Sequence, residues 1–158
     1  MTNARIRPAV AADVPAVRAV VDAAFRPYIA RIGVVPVPME ADHAANVAAG
    51  RVFVAEIPDE GAGGPARVAG LVVLEPRPDH LYLDVVAVRP DARGTGLGRL
   101  LLAFAEDRAR ALGLPEIRLF TNAMMWENQR IYPRFGYEAV ERRTTGPYDR
   151  IHYRKRLR

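Results

Sequence analysis

Between Leu81 and Arg108 the chain runs from an apolar segment, through three glycines at alternate positions, into a stretch with helical periodicity. Leu81-Tyr-Leu-Asp-Val-Val-Ala-Val88 is short, apolar and rich in β-branched residues, which predicts a strand. Leu97, Leu100, Leu101, Phe104, Ala105 and Arg108 then share one face of an amphipathic helix that stops at Gly113, with Pro115 just beyond. The joint between them is Arg93-Gly94-Thr95-Gly96-Leu97-Gly98. Its glycines let the backbone turn tightly and approach a ligand without Cβ obstruction. The N–H groups of that loop and of the first helical turn point at one place, and with the helix dipole they form an anion site. An ordinary glycine-rich turn from strand to helix is the other use of such a segment.

The rest of the chain supplies a sheet and its cover. Arg5 to Ala9 reads as a strand, and Asp13 as the N-cap of a helix carrying Val14, Val17, Val21, Ala24 and Phe25. Pro15 fits the first turn of that helix, where its missing N–H costs nothing. Pro36 and Pro38 break the next segment, after which Met39 to Ala49 reads as helical. Arg51 to Ile57 and Val68 to Leu74 are β-rich, with Pro58 to Pro65 as a hairpin loop between them. Glu116 to Thr121 is a strand, Trp126 to Phe135 a short helix, and Tyr137 to Arg143 and Ile151 to Leu157 are closing strands. The order β-α-α-β-β-β-α-β-α-β-β predicts one α/β or α+β domain with a mixed sheet over residues 1–158.

Composition removes several function classes. No apolar run approaches the roughly 20 residues that a membrane span needs. The first residues have no apolar core of a secretory signal, so a cytoplasmic, soluble protein is the expectation. There is no cysteine, hence no thiolate nucleophile and no Cys-ligated zinc. His43, His80 and His152 lie far apart without metal-ligand spacing, so no metal is expected. The net charge is +5, and 22 of the 23 basic residues are arginines dispersed among acids, which argues against a nucleic-acid partner while favouring an anionic ligand.

Spacing narrows the anion. GxxxxGK[ST] is absent, and GxGxxG fails because Arg99 stands three after Gly96. Arg93-x-x-Gly96-x-Gly98 resembles instead the [RQ]-x-x-G-x-[GA] signature of the GNAT superfamily of N-acetyltransferases. Val86-Ala87-Val88-Arg89-Pro90 before it resembles that family's V-A-V-x-P strand end, and Tyr132-Pro-Arg-Phe135-Gly136-Tyr137 resembles its Y-x-x-x-G-[FY]. The order of elements is similar from Arg5 to Leu157. The resemblance implies a mixed, mostly antiparallel sheet of six to seven strands flanked by about four helices, and acetyl-CoA as cosubstrate.

It also implies residue roles. Backbone groups of Val86, Ala87 and Val88 would meet the pantetheine arm, and one N–H there would polarise the thioester carbonyl. Arg93, Gly94, Thr95, Gly96, Leu97, Gly98 and Arg99 would hold the pyrophosphate. Tyr132 would protonate the departing thiolate, as a phenol of pKa near 10 can. The family often has an asparagine seven residues before this tyrosine; Met125 stands there, and Asn128, one helical turn from Tyr132, becomes the cofactor contact, with Asn122 as a second candidate.

A general base must take a proton from the acceptor ammonium. Asp84 is the charged residue within the apolar strand, on the face of Val86 and Val88 by alternation unless a bulge intervenes. Burial would raise its pKa and suit it to base work, while a structural ion pair with an arginine is the competing use. Glu127 and His80 are further candidates. On the acceptor side the resemblance offers Tyr28, Met39, Asp42, His43 and Tyr148, and Pro36 to Met39 as a wall.

The expected activity is transfer of an acetyl group to a primary amine of a small molecule or peptide by direct attack in a ternary complex. The alternative is a non-catalytic acyl-CoA-binding or regulatory module of the same fold. A homodimer is compatible with this fold, whose late strands often pair between subunits.

Overall fold

Alternating apolar residues build one seven-stranded sheet in the order β1-β2-β3-β4-β5-β7-β6. The computed structural model describes residues 4–59 and 64–157. The strands are β1 (Arg5–Pro8), β2 (Val52–Asp59), β3 (Gly64–Pro76), β4 (Leu81–Val88), β5 (Glu116–Asn122), β6 (Glu138–Thr145) and β7 (Tyr148–Arg156). All neighbouring pairs are antiparallel except β4 and β5. The helices among the described residues are α1 (Val14–Phe25), α2 (Tyr28–Ile32), α3 (His43–Ala48), α4 (Leu97–Ala111) and α5 (Trp126–Arg134). The mixed, mostly antiparallel sheet matches the expectation.

Local details differ from it. The hairpin expected over 58–65 tightens, because β2 runs to Asp59 and β3 starts at Gly64; residues 60–63 lie outside the described ones. The helix expected over 39–49 is a 3-10 turn at Val37–Glu40 followed by α3, whose N-cap Asp42 accepts a hydrogen bond from the Ala45 N–H at 3.0 Å. Asp13 does not cap α1. Its carboxylate accepts from the Val10 N–H at 2.7 Å, at the start of a preceding 3-10 turn, and pairs with Arg7 at 2.7 Å.

Two apolar layers sandwich the sheet. On one face α4 buries Leu97, Leu101, Leu102, Ala105 and Ala109 against Val72, Leu74, Leu81, Leu83, Ile117 and Leu119. On the other, α1 buries Val17, Val20, Val21 and Ala24 against Val52, Val54, Leu71, Val73, Val85 and Ala87. Leu83 and Val85 would share a face in an unbroken strand, yet they belong to opposite layers. The register gives the reason: Leu74 pairs with Leu83 and Val73 with Val85, leaving Asp84 as an extra, bulged residue.

At Gly70, β3 lies close to both β4 and α4. A Cβ there would stand 3.0 Å from the Ala87 carbonyl oxygen and 3.2 Å from both Leu97 Cδ2 and Leu101 Cδ1. The first of these contacts is backbone, so the strand itself must shift. Overpacking of this kind costs about 1–3 kcal/mol, against roughly 0.5–1 kcal/mol gained by replacing a glycine in a strand. Gly70→Ala is therefore expected to lower stability by about 1 kcal/mol, seen in urea unfolding as a lower midpoint with an unchanged slope; an unchanged midpoint would mean that β4 is free to move.

Candidate active site

β4 and β5 are joined only at Leu81 with Ile117 and Tyr82 with Arg118. Beyond those pairs the two parallel strands part, and the remaining length of each lines a cleft through the sheet. On the α1 side the cleft opens into a cavity of about 190 Å³ bounded by Leu83 to Val88 of β4, Leu119 to Asn122 of β5, Phe25, Ile32 and Pro36 to Pro38. On the α4 side a second cavity, of about 460 Å³, runs along the glycine loop past Arg93, Gly94, Gly96, Leu97, Gly98 and Arg99. Val86, Val88, Arg93, Asn128 and Tyr132 line both, and so form the throat between them.

The glycine loop is shaped by backbone conformation. Gly94 and Gly96 have φ of 78° and 88°, values that favour glycine. Thr95 donates its hydroxyl proton to the Ala92 carbonyl at 2.6 Å and fixes the turn. α4 starts at Leu97, and its first ladder bond is Leu100 N–H to the Gly96 carbonyl at 3.0 Å. The preceding N–H groups therefore lack helical acceptors, as in any helix start. Gly98 has an ordinary φ, and a Cβ there would meet no protein atom within 4 Å. The fold alone does not require a glycine at 98, and the absence of a Cβ there leaves the space above the loop open. Arg93 and Arg99 stand beside it, Arg93 with one guanidinium N–H on the Ala24 carbonyl at 3.5 Å and Arg99 over the Phe135 ring at 5.4 Å. Loop, open cradle and guanidinium groups together fit a pyrophosphate.

Tyr132 comes from the last turn of α5, which contains Pro133 and ends at Arg134. The chain then turns at Phe135 and Gly136, with the Phe135 and Tyr137 N–H groups both on the Tyr132 carbonyl, at 3.0 and 3.1 Å. The ring is wedged between Tyr137 and Tyr153, each 5.6 Å away centre to centre. Burial pushes the Tyr132 phenol well above its usual pKa, with the Tyr153 phenol adding to the shift. The residue lines both cavities, and the buried hydroxyl left without a partner among the described residues is that of its neighbour Tyr137. The Tyr132 phenol is a protonated donor facing the throat.

Asp84 lines only the α1-side cavity, because the bulge takes it off the face that carries Val86 and Val88. That corrects the simple alternation of the sequence. The carboxylate is open to the cavity, yet the surrounding protein desolvates it and raises its pKa, with Glu75 adding to the rise and Arg51 and Arg77 opposing it. No cation lies within 4.0 Å of it among the described residues. The ion pair that would have made it structural is therefore absent.

Asn128 donates from Nδ2 to the Thr121 hydroxyl at 2.9 Å, which anchors α5 to β5 and sets the side chain in the throat. Asn122 caps the following turn, accepting from the Met124 N–H at 2.9 Å. Glu127 accepts from Arg31 at 2.7 Å and from the Tyr28 hydroxyl at 2.9 Å, and the Arg31 guanidinium holds its carboxyl at about 2. A carboxylate so tied is a clasp between α2 and α5. His80 sits on Asp79 at 2.7 Å in the turn before β4 and lines neither cavity.

Of the five acceptor-side candidates, Tyr148 alone lines the cavity, and its hydroxyl donates to the Val35 carbonyl at 2.9 Å. Tyr28 is in the clasp, Met39 packs on the α1 layer, Asp42 caps α3, and His43 is buried beside α1. Sequence reading missed Phe25, Ile32, Phe120 and Arg150 as lining residues. Arg150 stands just before the closing strand expected from Ile151, and β7 begins earlier, at Tyr148; the signal was the aromatic Tyr148 two residues before it.

Solved structures with the same architecture are numerous, and those described here share too little sequence to speak beyond the fold. The PaiA N-acetyltransferase of Thermoplasma acidophilum, in complex with coenzyme A, matches with a TM-score of 0.76 at 16% identity, over 98% of this chain and 99% of that one. A GNAT-family acetyltransferase of Listeria monocytogenes matches with a TM-score of 0.73 at 18% identity, over 99% and 98%. The ribosomal-protein-S18-alanine N-acetyltransferase of Escherichia coli matches with a TM-score of 0.68 at 19% identity, over 97% and 93%. No curated protein matches the sequence. The model of the acetyltransferase (GNAT) family matches residues 17–137, which takes in most of α1, the bulged strand, the glycine loop and the Tyr132 turn, and the chain belongs to that family.

Proposed function

We propose that the protein transfers an acetyl group from acetyl-CoA to the primary amine of a small molecule or peptide, by direct attack while both are bound. The observation that carries this reading is the throat. Two cavities on opposite faces of the sheet, one beside an anion cradle and one holding Asp84, meet at Val86, Val88, Arg93, Asn128 and Tyr132. Two substrates entering from opposite sides would touch only there. The chain has no cysteine to carry the acyl group, which agrees with direct transfer.

Acetyl-CoA supplies an acetyl group activated as a thioester. Arg93, Gly94, Thr95, Gly96, Leu97, Gly98 and Arg99 hold its pyrophosphate, through backbone N–H groups and two guanidinium groups. Val86, Ala87 and Val88 offer backbone groups that the parting of β5 leaves without a strand partner, and one N–H of this edge polarises the carbonyl. Asn128 keeps its carbonyl oxygen for the cofactor after its N–H goes to Thr121. Asp84, directly or through water, takes the proton from the acceptor ammonium. The amine nitrogen then bonds to the acetyl carbon as the carbon–sulfur bond breaks. Tyr132 gives its proton to the departing sulfur, the second proton shed by the nitrogen as the amide forms restores the Tyr132 phenol directly or through water, and the first returns to solvent through Asp84. The products are an N-acetyl amide and free CoA thiol.

Thiol release from acetyl-CoA over a panel of amines tests the reading. Tyr132→Phe is expected to lower kcat about 100-fold, with calorimetric affinity for CoA within about twofold. Equal turnover would remove Tyr132 from the chemistry, and binding without turnover on any amine would leave an acyl-CoA-binding module.

The active form of Asp84 is the carboxylate. A raised pKa moves the acid limb of kcat/KM to higher pH, so activity rises through a pH above the usual carboxylate range, near 4, and then levels. Asp84→Asn is expected to abolish that limb and lower the plateau about tenfold or more. A limb that survives the substitution would assign the base elsewhere.

A further inference from the structure

Arg150 has no established part in the site, and its setting is unusual. It projects from β7 into the α1-side cavity, the side opposite the glycine loop. Its guanidinium lies 4.3 Å from the centre of the Phe120 ring and 5.0 Å from that of Tyr148. Neighbouring arginines on the same hairpin are neutralised: Arg142 by Asp149 at 2.6 Å, Arg143 by Glu141 at 3.7 Å and Arg154 by Glu138 at 2.8 Å. Among the described residues no carboxylate lies within 4.0 Å of Arg150, and no hydrogen bond engages it. Two aromatic faces therefore hold the plane of the guanidinium while its N–H edge is left to the cavity. That is the geometry for a bidentate oxyanion.

The geometry points to an acceptor that carries a carboxylate as well as its amine, with Arg150 as the residue that selects it. This rests on the transferase reading above and names its substrate class. Asp84 and Arg150 line this cavity alone, whereas its other cation, Arg93, also borders the glycine loop, so the part of the space away from the throat presents one anion and one cation to a zwitterion. Phe25, Ile32, Val37 and Phe120 line the remainder, which suits an apolar side chain. The acceptor class is thus a hydrophobic α-amino acid. A plain amine would leave Arg150 unpaired within the closed complex, and a site built to bind a group rejects analogues that lack it.

The test compares leucine, methionine and phenylalanine with their decarboxylated amines and with their amides, using acetyl-CoA and thiol release. Wild-type kcat/KM is expected to favour each amino acid by about 100-fold. Arg150→Gln is expected to bring that ratio near one, mainly by raising the amino-acid KM, and Arg150→Lys to restore part of it. Calorimetric binding of CoA, on the other face of the sheet, reports that each variant is folded. If wild type uses amines or amides as well as the amino acids, or if Arg150→Gln leaves the ratio unchanged, the carboxylate assignment is overturned while the transferase reading stands. Loss of CoA binding by the wild type would overturn both.

Discussion

β4 and β5 share two register pairs and then separate, although both continue as strands for several residues. Parting strands inside a protein is costly, since backbone N–H and C=O groups lose their partners away from bulk water. The cost is bearable here because the exposed edges face a cleft that water or a ligand can fill. Each face of the separation is braced independently. α4 holds β4 through Leu97, Leu101 and Leu102, and α1 holds it through Val17, Val20 and Val21. The bulge at Asp84 lets one strand serve both layers, by turning Leu83 to one and Val85 to the other. Without that extra residue, Val86 and Val88 would not face the glycine loop.

The charges in the cleft follow the same division. The α4-side cavity is lined by Arg93 and Arg99 and by no acidic residue, and it adds the unpaired N–H groups at the start of α4. The α1-side cavity holds Asp84 together with Arg150, and Arg93 lines both. The unpaired N–H groups and the cations without a carboxylate favour a polyanion on the α4 side, while the mixed charges of the α1 side do not. Desolvation acts on both titratable groups in the same direction. It keeps the Tyr132 phenol protonated and makes Asp84 a stronger base than a free carboxylate.

The parts legible in the sequence were those whose physics is local. A glycine with positive φ, a helix start and the turn after Tyr132 are each determined within a few residues, so their spacing could be read directly. The bulge was not legible in the same way, because it exists only in the register of β4 against β3. Alternation placed Asp84 with Val86, and pairing with Val73 and Leu74 undid that. Asp13 looked like a helix cap and instead caps a turn, since Arg7 and the Val10 N–H compete for its carboxylate. The acceptor wall was the least legible part. Pro36 to Pro38 were anticipated as a wall, but Phe25, Ile32, Phe120 and Arg150 come from four separate segments and meet only in the fold.

The contrast reaches into how the two halves are held. The glycine loop and β4 rest on buried core, where a substitution disturbs packing that many residues share. The acceptor wall hangs on exposed polar ties: Arg31 and Tyr28 on Glu127, and Tyr148 on the Val35 carbonyl. α2 buries none of its residues. Exposed ion pairs of this kind are each worth about 1 kcal/mol or less. Segments held so lightly can change their side chains without endangering the sheet, which leaves the acceptor wall free to vary while the acyl-donor site is constrained by the stability of the fold. A specificity determinant on this scaffold is therefore best sought where the wall meets something rigid, and β7, anchored along its length to β5 and β6, provides that at Arg150.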